Sequence, residues 1–279
     1  MENIKYIIYK GVLKMSRIPR LYFMPAIIVN HIRREKHPPT ERVIIEDKGN
    51  TRFVAHRGYS SFHMQNTIAS FKAAGQKSFY GIETDTHVTK DGKYIIIHDD
   101  TTAAVSDIKV NVEKCTFHEL KNIKLRVKNG EDTPEATTMP SLQEYIEVCK
   151  ECGKVAVLEL KNHFELENIR EIVEIIKEIG YIHKMVFISF DLPNCIELRK
   201  MDPTFTVEYL TTRYSKKLIK ILVENKLDLD IYYREINEKR VKELHDNGIK
   251  LNVWTLDDPE IAKKFISYGV DFITTNIIE

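Results

Sequence analysis

The sequence predicts an α/β protein, a (β/α)8 TIM barrel with an irregular second β/α unit and an extra N-terminal segment. Its 279 residues exceed the ~100 to 200 of an ordinary domain and match the ~250 of one such barrel. Hydrophobic residues make up 43% and charged residues 30%, enough for a core and inconsistent with global disorder. Beyond residue 50, short β-branched runs alternate with longer helix-period runs. Repeated strand-helix units build a parallel sheet, and this many of them close it into a barrel.

Residues 1–50 stand apart as a basic, apolar segment and linker, leaving 51–279 for the barrel. Residues 1–40 carry Lys5, Lys10, Lys14, Arg17, Arg20, Arg33, Arg34 and Lys36 against Glu2 and Glu35, a formal +6 in a chain of net +1. The longest uncharged stretch, 21–32, is broken by Pro25 and falls short of the ~20 apolar residues a spanning helix needs. Two readings stay open. One is an interfacial anchor with Tyr6, Ile7, Ile8, Val12 and Leu13 on one side and lysines toward anionic lipid; the other is a helix docked on the barrel floor. The segment ends in His37-Pro38-Pro39-Thr40 and a polar turn at Lys48-Gly49-Asn50.

Strands are expected at 52–55, 79–83, 94–97, 155–160, 185–189, 204–208, 228–232, 249–254 and 270–273, where β-branched and aromatic residues cluster. Helices are expected at 67–76, 141–152, 165–179, 193–201, 215–225, 237–246 and 259–267. Ser141 opens one of them, and Gly180, Gly248 and Gly269 close others. Nine strands are one too many for eight staves. The gap at 84–93, with its Asp91-Gly92 turn, is too short for a crossover helix. Residues 99–140 lack periodicity and read as a long excursion over one barrel face.

Chemistry-bearing residues sit where strands end: His56-Arg57 after the first, Glu83 and Asp85 at the second, His98-Asp99 at the third, Glu159 and Lys161 at the fourth. Residues two apart in a strand face the same side, and the C-terminal ends of barrel strands converge on one mouth. Three crowded carboxylates repel, and a hard divalent cation, Ca²⁺ or Mg²⁺, resolves that cost. Arg57 and Lys161 beside it suit phosphate oxygens. His56 and His98 suit acid/base work near neutral pH. Metal-assisted phosphodiester cleavage uses all of these groups.

At Phe53-Val-Ala-His-Arg-Gly58, Asn66-Thr67, Gly81-Ile-Glu-Thr-Asp85, Thr89-Lys-Asp-Gly92 and Ile95-Ile-Ile-His-Asp99 the sequence resembles the glycerophosphodiester phosphodiesterase family. Weaker matches follow at Leu158 to Lys161, Ile188 to Phe190, Trp254-Thr255 and Gly269 to Asp271. The resemblance implies hydrolysis of glycerophosphodiesters to glycerol 3-phosphate and an alcohol with a divalent cation. By that likeness His56 and His98 are the acid/base pair, Glu83, Asp85 and Glu159 the metal ligands, and Arg57 and Lys161 the phosphate contacts. A neighbouring substrate hydroxyl is the implied nucleophile, and water opens the resulting cyclic phosphate. Two departures stand out. Met64-Gln65 replaces the usual Pro-Glu, and no arginine lies in 100–109.

Trp254 and Phe190 are candidate substrate walls at the mouth. His63 and His87 read as loop or surface residues, and Cys149 with Cys152 as buried helix residues. Four cysteines in a chain of this size point to a reducing cytoplasm, with association at the inner membrane face if residues 1–40 bind lipid. Net charge +1 argues against a nucleic-acid partner. Two other functions fit the same pattern: a lysophospholipase D-like or phospholipase C-like enzyme on lipid substrates, and a catalytically silent phosphate- or membrane-binding module. No P-loop, Gly-x-Ser-x-Gly elbow, dinucleotide fingerprint or His-Glu-x-x-His helix is present.

Overall fold

A computed structural model describes residues 41–279; the lipid-anchor and floor-docking readings of residues 1–40 lie outside the described residues. Among those described, the elements run β1 (Arg52–Ala55), α1 (Ile68–Gly75), β2 (Gly81–Val88), β3 (Tyr94–Ile96), α2 (Phe117–Lys121), α3 (Pro134–Thr137), α4 (Leu142–Cys152) and β4 (Val155–Leu160). They continue with α5 (Leu166–Ile179), β5 (Met185–Ser189), α6 (Leu192–Met201), β6 (Thr206–Thr211), α7 (Lys216–Asn225), β7 (Asp228–Tyr232), α8 (Glu238–Asp246), β8 (Leu251–Trp254), α9 (Pro259–Tyr268) and β9 (Phe272–Thr275). Strands β1, β2, β4, β5, β6, β7, β8 and β9 pair in parallel, and β1 pairs with both β2 and β9, so eight staves close into the expected barrel.

The surplus strand is the irregularity. β2 runs on past the barrel rim to Val88, turns at Asp91-Gly92, and β3 returns antiparallel with Thr86 opposite Ile96. Gly92 takes φ +72°, which the turn demands and a side chain resists. The second stave therefore starts two residues later and ends five later than expected. Strands β6, β8 and β9 also begin two residues late, at Thr206, Leu251 and Phe272. The apolar residues just before them, Phe205, Ile249 and Val270, are buried in the connecting turns, so the hydrophobic signal starts before the strand geometry does.

Alternation along the staves sorts the core. Phe53, Ala55, Ile82, Leu158, Leu160, Phe187 and Val207 face outward to the helix layer, each burial except that of the small Ala55 contributing roughly 1.5–3 kcal/mol. Val54, Val157, Val186, Ile188 and Leu210 point inward. At the N-terminal end Arg52 stacks over Tyr80 at 4.6 Å, and Tyr80 contacts Phe272 at 5.5 Å, plugging the floor. The helices carry the caps their sequences announce. Ser141 and Glu144 form a reciprocal capping box at α4, and Gly153, Gly180 and Gly269 end α4, α5 and α9 in left-handed conformation. Cys149 is buried and Cys152 partly so, both unbridged on α4 as expected.

Residues 99–140 are not a plain loop. They fold over Ile95 and Ile97 with a small core of Val105, Val112, Leu120, Ile123, Leu125 and Met139. Residues 41–50 lie against the barrel: Val43 bridges Ile278, and Ile45 N–H donates to Glu279 O at 2.9 Å.

The interior also holds a polar layer of Glu208, Asp230, Asn252 and Thr274, all buried. Burial first, and the Asp228 carboxylate second, push Glu208 up to about 8. A carboxyl so raised binds its proton more tightly folded than unfolded, so it lowers stability as pH rises from ~4.3, the unfolded value, to about 8. Glu208→Gln removes that dependence. Its Tm is expected to fall less than the parent's between pH 5 and pH 8; parallel Tm curves across that range contradict the assignment.

Candidate active site

The site begins where β1 turns into its loop. Arg57 and Gly58 both take positive φ, +56° and +76°, and a Cβ on Gly58 would lie 2.5–2.8 Å from Ser70. The turn aims the Arg57 backbone N–H at Glu83 Oε2, 2.9 Å away. Its guanidinium donates to Gln65 Oε1 at 2.8 Å and stands 3.4 Å from Asp85 Oδ2. Asn66, also left-handed at φ +56°, donates through Nδ2 to Asp85 Oδ2 at 2.8 Å and accepts from Thr84 Oγ1 at 2.8 Å. The α1 capping box of Thr67 and Ser70 anchors this loop.

Alternation on β2 and β4 brings Glu83, Asp85, Glu159 and Lys161 inward together, with Asp85 in register with Glu159. One ligand oxygen from each of Glu83, Asp85 and Glu159 lies within 4.8 Å of the others, and all three side chains are buried. Burial first and Asp85 second raise the Glu83 carboxyl well above its usual range. Burial likewise lifts Glu159, to about 7, against the pull of Lys161. Burial opposes ionisation of Asp85 too, but Lys161, His98, Arg57 and the Asn66 amide outweigh it and hold Asp85 well below the normal carboxylate value.

Lys161 Nζ lies 3.2 Å from Asp85 Oδ1 and 2.9 Å from Glu159 Oε1. It offsets the charge of both, but one ammonium serves two carboxylates, and Asp85 Oδ1 is buried without an aligned donor. Three buried carboxylates at this spacing, short of donors, fit an oxygen-seeking cation.

The imidazoles flank this cluster. His56 Nδ1 lies 2.7 Å from Asn276 Oδ1, and its Nε2 faces Glu83 Oε2 at 4.0 Å. His98 Nδ1 lies 2.5 Å from Asp99 Oδ1. Burial and the Arg57 charge lower both rings' pKa values. His98 does not end a stave, contrary to expectation. It arrives on the returning limb of the β2-β3 hairpin, just after Ile97 N–H donates to Asp85 O at 3.1 Å. His87 is also placed differently from its surface reading: fully buried on β2, it lies 3.1 Å from Glu113 Oε1 through Nδ1 and 3.3 Å from the His98 carbonyl through Nε2. The hairpin that extends β2 is what encloses it. His63 is a loop residue paired to Glu131 at 2.7 Å.

On the far side of the mouth, Phe190 after β5 and Trp254 on β8 meet edge to face at 5.6 Å, both half-buried. Arg126, the one arginine of 99–140, binds the carbonyls of Ala104 and Ser106 and the Asp107 carboxylate, so it holds the excursion's own fold. Sequence reasoning assigned no role to Asn276, Asp257 or Ser60. Asp257 accepts from Asn276 N at 2.7 Å and Asn276 Nδ2 at 2.8 Å, and Ser60 Oγ donates to Asn276 Oδ1 at 2.8 Å. The alternation of inward residues, carried from Phe272 and Thr274 to Asn276, is the signal that points to Asn276.

The glycerophosphoryl diester phosphodiesterase family model matches residues 56–279. A glycerophosphodiester phosphodiesterase of Caldanaerobacter subterraneus is 31% identical over 81% of this chain and 94% of its own length. The crystal structure of a glycerophosphodiester phosphodiesterase from Parabacteroides distasonis superposes with a TM-score of 0.68 at 30% identity, over 81% of this chain and 93% of that one. A phosphodiesterase from Oleispira antarctica, solved with the product sn-glycerol-3-phosphate, superposes with a TM-score of 0.74 at 26% identity, covering 81% and 92%. A closed barrel with two imidazoles over an acidic triad, matched over this length of chain, has one consequence for its classification: the protein belongs to the glycerophosphoryl diester phosphodiesterase family.

Proposed function

We propose that this protein hydrolyses glycerophosphodiesters to glycerol 3-phosphate and an alcohol, with Ca²⁺ or Mg²⁺ held by Glu83, Asp85 and Glu159. The observation that carries the reading is the buried triad of carboxylates, within 4.8 Å, directly beside two histidines. An all-oxygen ligand set selects a hard cation, which supplies charge stabilisation at phosphorus. Three carboxylates against Arg57 and Lys161 leave the site formally −1, so a divalent cation turns it to +1 and suits it to a phosphodiester monoanion.

Arg57 presents its guanidinium to a phosphate oxygen from a loop fixed by Glu83 and Gln65. Lys161 holds Asp85 and Glu159 in place and adds its charge toward the phosphate. His56, with Nε2 toward the triad, accepts a proton from the attacking hydroxyl, and His98, backed by Asp99, protonates the leaving oxygen. Phe190 and Trp254 form an apolar wall for the organic half of the substrate. A lipid-chain diester is the second reading. Ile108 and Val127 are exposed by 54% and 46% on the excursion, and Lys128, beside Val127, reaches the mouth loop at Ser60 O.

Release of glycerol 3-phosphate from a panel of glycerophosphodiesters, and of acylglycerol 3-phosphate from lysophospholipids, tests this directly. Chelator-sensitive turnover of a small diester, lowered about 10² to 10⁴-fold in His56→Ala, is expected. Release confined to lysophospholipids favours the lipid reading, and no release from any member by metal-loaded protein contradicts both.

Gln65 sets a second expectation. Its Oε1 is 2.8 Å from the Arg57 guanidinium, where a carboxylate would add one negative charge at the edge of the triad. Gln65→Glu is expected to lower the cation concentration for half-maximal activity by about five- to tenfold. An unchanged or higher cation requirement contradicts this electrostatic account.

A further inference from the structure

We infer that Asp257 and Asn276 are positioning residues that fix the tautomer of His56, keeping the proton on Nδ1 and the Nε2 lone pair toward the acidic triad. Asp257 Oδ1 accepts from Asn276 N at 2.7 Å and from Thr275 Oγ1 at 2.8 Å, while its Oδ2 faces Asn276 Nδ2 at 2.8 Å. An ionised carboxylate offers acceptors alone, so the amide NH₂ of Asn276 must face Asp257. The amide oxygen therefore faces the other way. It lies 2.7 Å from His56 Nδ1 and accepts from Ser60 Oγ at 2.8 Å. A carbonyl oxygen cannot donate, so the His56 nitrogen that meets it carries the proton. The backbone holds the arrangement together, because His56 N–H donates to Thr275 O at 2.8 Å.

This deepens the proposed function, since it explains how His56 is ready to accept a proton at Nε2. The group that decides the matter is the Asp257 carboxylate, acting through the Asn276 amide. In Asp257→Asn, the new amide keeps its oxygen on Asn276 N and Thr275 Oγ1 and turns its NH₂ toward the Asn276 side chain. Two NH₂ groups then face each other, and Asn276 flips to resolve the clash. Its NH₂ now meets His56 Nδ1, which must become an acceptor, and the proton moves to Nε2. The pair Asp257→Asn with Asn276→Asp restores the pattern: the amide at 257 donates to the carboxylate at 276, which accepts from His56 Nδ1–H.

The test is ¹⁵N NMR of histidine-labelled, Mg²⁺-loaded protein at neutral pH, with the His56 signals assigned by their loss in His56→Gln, read beside steady-state kinetics. The parent is expected to show His56 protonated at Nδ1. Asp257→Asn is expected to show the Nε2–H form, with kcat lowered about 10² to 10⁴-fold, as when a catalytic histidine is left in the wrong tautomer, and KM within about twofold. The double variant returns to the Nδ1–H form, with kcat within about tenfold of the parent. An Nε2–H signal in the parent overturns the inference, as does Asp257→Asn retaining either the Nδ1–H form or full kcat. If Asp257→Asn does not fold, the parent spectrum and the double variant decide, and a folded double variant lacking the Nδ1–H form overturns it. The ring signals report the tautomer whether or not the chain turns over a glycerophosphodiester, so failure here is separable from failure of the proposed function.

Discussion

Crowding three carboxylates into the mouth of a closed barrel is the constraint around which the surrounding structure is arranged. Glu83, Asp85 and Glu159 are buried within 4.8 Å of one another, where burial penalises each charge and each charge penalises the next. The neighbours offset this one by one. Lys161 lies between Asp85 and Glu159, Asn66 donates to Asp85, and the Arg57 backbone caps Glu83. The left-handed turns at Arg57, Gly58 and Asn66 place those donors and are expensive for residues with side chains. Such strain is tolerated where the surrounding contacts over-determine it. Residual oxygens without aligned donors leave room for a cation to complete the balance.

The second stave then does more than supply two of the carboxylates. Extending β2 beyond the rim and folding β3 back along it delivers His98 to the level of Asp85 from outside the barrel wall. The same hairpin buries His87, which reaches the His98 backbone, and supports the small core of the excursion. Two histidines thus reach one site by different routes: His56 from the end of a stave and His98 from a hairpin limb. Their backing groups differ as well, an amide for His56 and a carboxylate for His98.

Much of this was legible in the sequence, because period-two alternation at the ends of consecutive strands is local information. It identifies Glu83 with Asp85 and Glu159 with Lys161 as inward pairs before any tertiary contact is known. The direction of β3 was not. The ten residues of 84–93 exclude a crossover helix but do not by themselves reveal that the stave continues through them. The excursion's core was missed because its apolar residues are spaced by short turns without helical or strand period. Asn276 escaped because its partner His56 is 220 positions away in the chain, Asp257 because it joins the site only through Asn276, and the last strand was expected to stop at 273, before alternation could carry inward to Asn276. Strand starts were misplaced wherever a buried turn residue, such as Phe205 or Val270, extended the apolar run.

Isothermal titration of chelator-stripped protein with Mg²⁺ and with Ca²⁺, in parallel with Glu159→Gln, decides whether the buried triad holds one hard divalent cation. One cation per chain is expected for the parent, with affinity weakened at least about tenfold in the variant, which loses one carboxylate charge. Absence of binding to folded parent protein, or equal binding by the variant, contradicts that assignment.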